Sequence, residues 1–140
     1  IGAKAPTVIQ GKEKLGYPDR QNKTAYVFEG FWDFLSWLEI SKEEHFEEKV
    51  IVLNSLSFMK EVGEQIIADK DKLDTILLFL DNDDAGKKAT ISMVEMLDEQ
   101  GFIIGTMNHH YEGFKDLNDF WQQKKNNKIH VYDPPPNEFK

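Results

Sequence analysis

A short apolar run followed by a helical stripe recurs along this chain, and this repeat constrains the fold more than any other feature of the sequence. The runs Tyr26–Phe28, Val50–Leu53 and Thr75–Leu80 are continuous and rich in β-branched or aromatic residues, which is typical of strands buried on both faces. Strands that alternate with helices predict right-handed crossovers and a mostly parallel sheet. The predicted fold class is therefore α/β.

The helical stripes complete this reading of the chain. Their apolar members are Phe31, Phe34, Leu35 and Leu38 in the first helix, Phe58, Val62, Ile66 and Ile67 in the second, and Ala85, Ala89, Met93, Met96 and Leu97 in the third. The third helix is predicted over residues 84–100, with Asp84 as its N-cap and Gly101 as its C′ residue. A strand near residues 102–107 and a short helix over residues 116–124 complete a four-stranded sheet flanked by helices.

The length and composition suit a single domain. The chain has 140 residues, 40% of them hydrophobic, which is enough for one core. We predict that residues 25–126 form this domain, that residues 1–24 are an irregular lead-in or linker with one short strand near Val8, and that residues 127–140 are a tail or linker. A start without Met and an end rich in proline are what cuts in a longer chain would leave.

Composition also excludes several classes of protein. The absence of cysteine excludes a disulfide framework and a thiolate zinc site. No apolar run approaches the roughly 20 residues that cross a membrane, and no signal peptide is recognisable, so we expect a cytoplasmic protein without membrane contact. The net charge of -8 argues against a self-sufficient nucleic-acid binder, although an acidic catalytic module that works beside basic domains remains compatible with it.

Acidic residues follow the predicted strands. Ligands of open parallel sheets bind beyond the carboxyl ends of the strands. Glu29 and Asp33 follow the first predicted strand, Asp81 and Asp83 follow the third, and Asp116 follows the last. Carboxylates that converge repel one another and are the ligands that Mg²⁺ prefers. The sequence therefore predicts a divalent metal site at this edge, of the kind that supports phosphoryl transfer.

Each of these acidic residues also has a structural interpretation. Asp81, Asp83 and Asp84 could form only a turn and a helix cap. Glu29 could be a solvated residue at a strand end, and Asp33 a charge on a helix surface. Their coincidence at one sheet edge is what favours the functional interpretation over the structural one.

Basic residues near the acidic positions could bind phosphate. The pair Lys87 and Lys88 is typical of a solvated helix face, whereas Lys115 lies inside an acidic loop and is the better candidate. His109 and His110 suit Mg²⁺ poorly, and adjacent residues of a strand point to opposite faces, so we favour a structural role for both.

Aromatic residues form another group with two interpretations. Trp32, Phe34, Trp37 and Trp121 could stack on nucleic-acid bases, but their helical spacing favours positions in the core.

Three segments resemble the Toprim signature that bacterial primases share with type IA and type II topoisomerases and certain nucleases. They are Glu29-Gly30-Phe31-Trp32-Asp33, Asp81-Asn82-Asp83-Asp84-Ala85-Gly86 and Lys115-Asp116-Leu117-Asn118-Asp119. The resemblance extends from about Tyr26 to Trp121 and implies a Rossmann-like Toprim fold. Bacterial and phage primases have the most similar forms of the three segments. Asn118 departs from many bacterial primases, which carry a second aspartate there.

This resemblance implies roles for the acidic residues. Glu29 maps to the family glutamate, which manages protons or binds metal. Asp81 and Asp83 map to ligands of Mg²⁺ or Mn²⁺, and Asp33 and Asp116 map to further acidic positions of the primase site.

The expected function is that of a primase catalytic domain, which joins nucleoside triphosphates into RNA primers on single-stranded DNA, with a helicase as a candidate partner. The segment lacks the basic ridge and zinc-binding domain that hold template in primases, so we expect it to depend on a longer protein. The alternatives are a Toprim nuclease and a degenerate Toprim scaffold that recruits a replication partner. A topoisomerase ranks lower because no tyrosine motif is recognisable, and no phosphoacceptor arrangement of the response-regulator kind is present.

Overall fold

The computed structural model describes residues 5–11, 23–42 and 46–127. The predicted tail beyond residue 127 and most of the predicted lead-in lie outside these residues, so the predicted domain boundaries stay predictions. Within the described residues, no helix has both the length and the apolar character that a membrane span requires.

Within the part of the chain that the structure describes, five strands form one sheet. They are β1 (Thr7–Gln10), β2 (Thr24–Phe28), β3 (Lys49–Val52), β4 (Thr75–Phe79) and β5 (Ile103–Thr106). Their order across the sheet is β1-β3-β2-β4-β5. All neighbours are parallel except β1, which pairs with β3 in the antiparallel direction. The predicted α/β class and mostly parallel sheet are confirmed, and the fifth strand is the short segment anticipated near Val8, which joins the sheet as an edge strand.

Among the described residues, four α-helices cover the sheet, two on each face. They are α1 (Phe31–Ser41), α2 (Met59–Ala68), α3 (Asp84–Asp98) and α4 (Leu117–Asn126). Buried residues of α2 and α3 pack with one set of strand side chains, here called the α2/α3 layer. Buried residues of α1 and α4 pack with the other set, the α1/α4 layer.

The continuous apolar runs of the central strands fill these two layers alternately. In β2, Ala25 and Val27 belong to the α2/α3 layer, whereas Tyr26 and Phe28 belong to the α1/α4 layer. Successive strand side chains point to opposite faces, so a strand between two helical layers needs an apolar residue at every position. This requirement explains why β2 and β4 carry no polar alternation.

The ends of α3 differ from those predicted. The N-cap is Asp83 and not Asp84, because Asp83 has an extended backbone and its Oδ1 accepts the N–H of Gly86 at 2.8 Å. Asp84 is already helical. Gly101 does have a left-handed backbone, with φ of +87°, but it lies two residues beyond the C-cap Glu99 and is therefore not the C′ residue.

The aromatic residues of α1 divide between core and surface. Phe34 and Trp37 are buried in the α1/α4 layer, as predicted, and Trp121 packs against it. Trp32 is 70% exposed, so its predicted core position is wrong. Trp32 stands in the first turn of α1, and its side chain projects away from the sheet that Phe34 and Trp37 cover.

Candidate functional site

The carboxyl ends of β2 and β4 lie side by side, and Glu29 and Asp81 follow them. Phe28 pairs with Phe79 in the sheet, so Glu29 and the residues after Phe79 leave it at the same edge. The Glu29 Oε1 accepts a hydrogen bond from the backbone N–H of Asp81 at 3.0 Å. The two strand ends are therefore joined by a predicted site residue.

Three carboxylates converge at this edge. One oxygen each from Asp33, Asp81 and Asp116 lies within 4.8 Å of the other two, a separation that one metal ion can bridge. Asp33 comes from the first turn of α1, Asp81 from the end of β4, and Asp116 from the N-cap of α4. The fold thus assembles three of the five predicted metal ligands from elements far apart in the sequence.

Backbone N–H groups orient two of these carboxylates. The Asp33 Oδ1 accepts the N–H of Asn118 at 2.9 Å, and its Oδ2 accepts the N–H of Gly30 at 3.3 Å. The Asp116 Oδ1 caps α4 by accepting the N–H of Asp119 at 2.7 Å. Such bonds fix the direction of each carboxylate while leaving lone pairs for a cation.

Asp81 has an oxygen atom that is available to a cation. Its Oδ1 is buried and has no hydrogen-bond partner among the residues that the structure describes. An unsatisfied buried carboxylate oxygen costs free energy, and almost all such atoms in proteins have a partner. A set made only of carboxylate oxygens matches Mg²⁺ and Mn²⁺ better than softer metals. The residues present therefore fit a hard divalent cation.

The electrostatics of the group agree with this fit. Burial, reinforced by the charge of Glu29, raises the pKa of Asp81 to about 8. Burial, reinforced by the charge of Asp116, raises the pKa of Asp33 to about 7. Without a cation, the simultaneous ionisation of Asp33 and Asp81 is therefore disfavoured at neutral pH.

Glu29 and Asp83 border this group without belonging to it. Burial raises the pKa of Glu29, the hydrogen bond from Asp81 opposes that effect, and the charge of Asp83 adds to it. Asp83 is exposed, and its Oδ1 is occupied as the cap of α3. Asp83 therefore does perform the capping role anticipated for this acidic turn, and its Oδ2 is the atom left for a ligand.

Gly86 allows the start of α3 to approach the site. A Cβ atom at this position would collide with the backbone carbonyl group of Asp81. The glycine that completes the second Toprim-like segment is therefore required by the close packing of the helix against the strand end.

Two residues of the site region were missed in the sequence. The buried hydroxyl of Tyr111 donates a hydrogen bond to the carbonyl of Leu80 at 2.6 Å, directly before Asp81. Burial and the neighbouring carboxylates raise the pKa of Tyr111, so this hydroxyl stays protonated and acts as a fixed donor. The amide of Asn82 contacts the loop after β5. The only sequence signal for Asn82 was its place between two aspartates.

A cavity of about 520 Å³ lies beside the carboxylates. Its charged and aromatic lining consists of Lys87, Lys115, His109, Asp83, Glu112 and Phe114. Among the described residues, neither lysine has a carboxylate within salt-bridge distance. Asp83 also neighbours Glu29 electrostatically, so the cavity adjoins the acidic site.

The two histidines lie on a 3₁₀ turn at Asn108–Tyr111 and not on a strand. Their ring centroids are 4.1 Å apart, so the expectation that they point to opposite faces is wrong. The Nδ1 of His109 pairs with the carbonyl of Thr106 at 3.0 Å. Neither histidine belongs to the group of three carboxylates.

Comparisons with known proteins match this fold and these segments. A sequence model of the family described as Toprim-like matches residues 26–121. The primase fragment of the bacteriophage T7 primase-helicase protein is similar in structure, with a TM-score of 0.56 and 23% identity over 77% of this chain and 42% of that one.

A second T7 structure contains the lagging-strand DNA polymerase with primase domains of two gp4 subunits bound to an RNA/DNA hybrid and dTTP. It matches with a TM-score of 0.58 and 21% identity over 85% of this chain and 60% of that one. The chain thus spans about half the length of these T7 chains. No curated protein sequence matches it.

Proposed function

The chain belongs to the Toprim-like family, and from this premise we propose that it is the catalytic module of a DNA primase. The reaction would be metal-dependent nucleotidyl transfer that makes RNA primers on single-stranded DNA. The observation that carries this proposal is the group of Asp33, Asp81 and Asp116, in which a buried oxygen of Asp81 has no hydrogen-bond partner among the described residues. The likeness in fold to the T7 primase fragment supports primase over other Toprim activities.

Asp33, Asp81 and Asp116 would hold Mg²⁺ or Mn²⁺, with Asp83 as a further ligand through its Oδ2. The bound cations would neutralise the carboxylates and the phosphate oxygens of an incoming nucleotide. The backbone N–H groups that orient Asp33 and Asp116 would keep their free lone pairs directed at the same point. Little reorganisation would then be needed when a nucleotide arrives.

Glu29 would manage the proton of the attacking hydroxyl group. Its carboxylate adjoins Asp81, and its raised pKa brings it closer to neutrality, where a group can both accept and release a proton. A primer 3′-hydroxyl would attack the α-phosphate of the nucleotide, its proton would pass to Glu29, and pyrophosphate would leave.

The neighbouring cavity would receive the nucleotide. Lys115 and Lys87 line it, and neither forms a salt bridge within the described residues. These two ammonium groups would bind the phosphate groups of the nucleotide and supply positive charge locally in a chain whose net charge is -8. Asp83 lines this cavity and would lie between the nucleotide and the metal ligands.

The partners would be single-stranded DNA, nucleoside triphosphates and a helicase, all through the longer protein. The T7 relatives are named as a primase-helicase and as primase domains on an RNA/DNA hybrid with dTTP, which supports this set. With a net charge of -8, the chain would rely on basic neighbouring domains to grip DNA. The compartment would be the cytoplasm.

The proposal is tested by product analysis of the longer protein with single-stranded DNA, ribonucleotides and Mg²⁺. New short RNA that disappears in the Glu29→Gln protein is the expected result. The matched control is Glu64→Gln, an exposed glutamate of α2, which should make primers normally. Shortened DNA without a new strand would assign the site to a nuclease instead. If a folded protein yields neither product, the scaffold that recruits a replication partner is the remaining function.

A further inference from the structure

The side chain of Asn82 binds the loop that follows β5 at several points. Its Nδ2 lies 3.3, 3.1 and 3.1 Å from the carbonyl oxygens of Asn108, Tyr111 and Phe114. Its Oδ1 accepts a hydrogen bond from Nδ2 of Asn108 at 3.0 Å. Because an amide nitrogen has two protons, the three carbonyl groups share them.

The backbone of Asn82 makes a further bond to the same loop. Its N–H donates to the carbonyl oxygen of Lys115 at 2.6 Å. Lys115 directly precedes Asp116, so the loop is held along its whole length from residue 108 to residue 115. The anchor is the residue between Asp81 and Asp83, at the centre of the acidic strand end.

We propose that Asn82 is a positioning residue for the metal site: its amide holds residues 108–115 against the end of β4 and so places Asp116 beside Asp33 and Asp81. Asp116 reaches the site only through this loop and the first turn of α4. That this site binds a metal rests on the proposed function, whereas the positioning of Asp116 by Asn82 does not. Lys115, which lines the cavity, is set by the same contacts.

An aspartate at position 82 separates this role from a purely electrostatic one. The Asn82→Asp protein keeps the shape of the side chain but turns a carboxylate oxygen towards three carbonyl oxygens, which it cannot bind. Added negative charge near a cation site would by itself strengthen cation binding. If Asn82 acts by positioning, the loop is released and the cation binds more weakly despite the extra charge.

The test measures Mn²⁺ binding to the 140-residue chain by the loss of the free Mn²⁺ electron paramagnetic resonance signal. We expect Asn82→Ala and Asn82→Asp to weaken Mn²⁺ binding by about tenfold or more, the usual effect of losing a residue that orients metal ligands. Asn108→Ala, which removes only one of the side-chain bonds, should have a smaller effect. Val62→Ala, buried in the α2/α3 layer far from the loop, supplies a control that is destabilised without touching the site.

Hydrogen exchange of the same proteins provides a readout that does not depend on the metal. Amides of residues 108–116 should exchange faster in Asn82→Ala than in Val62→Ala, while those of β2 and β3 remain protected. Unchanged exchange in this loop, or Mn²⁺ affinity that is kept in both position-82 variants or lost equally in Val62→Ala, would overturn the proposal. If the wild-type chain binds no Mn²⁺, the metal function fails and the exchange result alone decides the role of Asn82.

Discussion

The carboxylate of Glu29 accepts the backbone N–H of Asp81 at 3.0 Å, so the residue proposed to manage protons also joins the ends of two strands. The Glu29→Gln protein separates these two roles, because a glutamine oxygen can still accept this hydrogen bond but cannot take up a proton. We expect primer synthesis by the longer protein to fall at least about a hundredfold, in the range typical of acid–base residues. The melting temperature should stay close to that of the wild type, and a large drop would instead assign Glu29 a structural role.

The raised pKa values of Asp33 and Asp81 predict how the stability of the metal-free chain depends on pH. The pKa of Asp33 rises from 3.8 to about 7, and that of Asp81 rises from 3.8 to about 8. Between the lower and the higher pKa of each group, the folded protein therefore binds more protons than the unfolded chain. This stabilising contribution is complete below pH 4 and is lost as the pH rises through about 8. Thermal unfolding in a chelator should show these two groups destabilising the fold between pH 5 and 8.5, and Mn²⁺ should stabilise it most at the upper end. A Mn²⁺ effect that is equal at both ends would contradict this linkage.

Replacing one carboxylate of the group should stabilise the metal-free chain at high pH. The Asp81→Asn substitution removes a buried charge and the repulsion it suffers, so we expect a gain on the order of 1 kcal/mol at pH 8.5 in a chelator. The same protein should lose most of the stabilisation that Mn²⁺ gives the wild type. Asp71→Asn, at an exposed aspartate outside the helices and strands, serves as the control and should leave both quantities nearly unchanged.

Two helical glycines should differ in how strongly substitution by alanine destabilises the protein. Alanine is usually favoured over glycine inside a helix by about 0.5–1 kcal/mol. At Gly86 the new methyl group would meet the backbone of Asp81, whereas at Gly63 it would meet the end of the flexible Met96 side chain. Chemical denaturation should show Gly86→Ala destabilised by about 2 kcal/mol, with weakened Mn²⁺ binding, and Gly63→Ala much less affected. Equal effects would contradict the close approach at Gly86.

The lysines that line the cavity should affect nucleotide binding and leave metal binding intact. Removing a charged donor from a phosphate typically costs about 1.5–3 kcal/mol, so Lys115→Ala and Lys87→Ala should each raise the KM for ribonucleotides about tenfold or more. Lys88 is the matched control because it is adjacent on α3 but does not line the cavity. Steady-state primer synthesis by the longer protein makes the measurement. An effect of Lys88→Ala as large as that of Lys87→Ala would indicate a general charge effect instead of a local contact.

The sequence indicated the positions of acidic residues best where they interrupt an apolar pattern. Buried parallel strands must be apolar throughout, so the acidic residues after Phe28 and Phe79 stood out against them. The topological rule then placed both at the same edge, and the register of β2 against β4 agrees. The order of elements placed acidic residues near this edge, whereas the assignment of Asp33 and Asp116 to the site came from the resemblance to primases.

Other features depended on contacts that no local pattern encodes. Asn82 and Tyr111 donate hydrogen bonds to backbone carbonyl groups of residues distant in sequence. Every residue has such a carbonyl group, so the amino-acid pattern does not show which one is the acceptor. The cap of α3 could not be assigned between Asp83 and Asp84 because both are good N-cap residues, and only the backbone conformation decides. Trp32 is two residues from Phe34 in the same helix, so it lies on the opposite side of α1 from the buried aromatic residues, and the prediction of a core position overlooked this.

The three carboxylates come from α1, β4 and α4, which lie far apart along the chain. The backbone bond from Asn118 to Asp33 alone spans 85 residues of sequence. Contacts between such distant segments close large loops, so they form late when a chain folds. The three ligands can meet only after α4 has packed beside α1, so cation affinity should be acquired in the last step of folding. The repulsion among the carboxylates would act only from that step onward, and a cation that arrives then would slow unfolding more than it speeds folding.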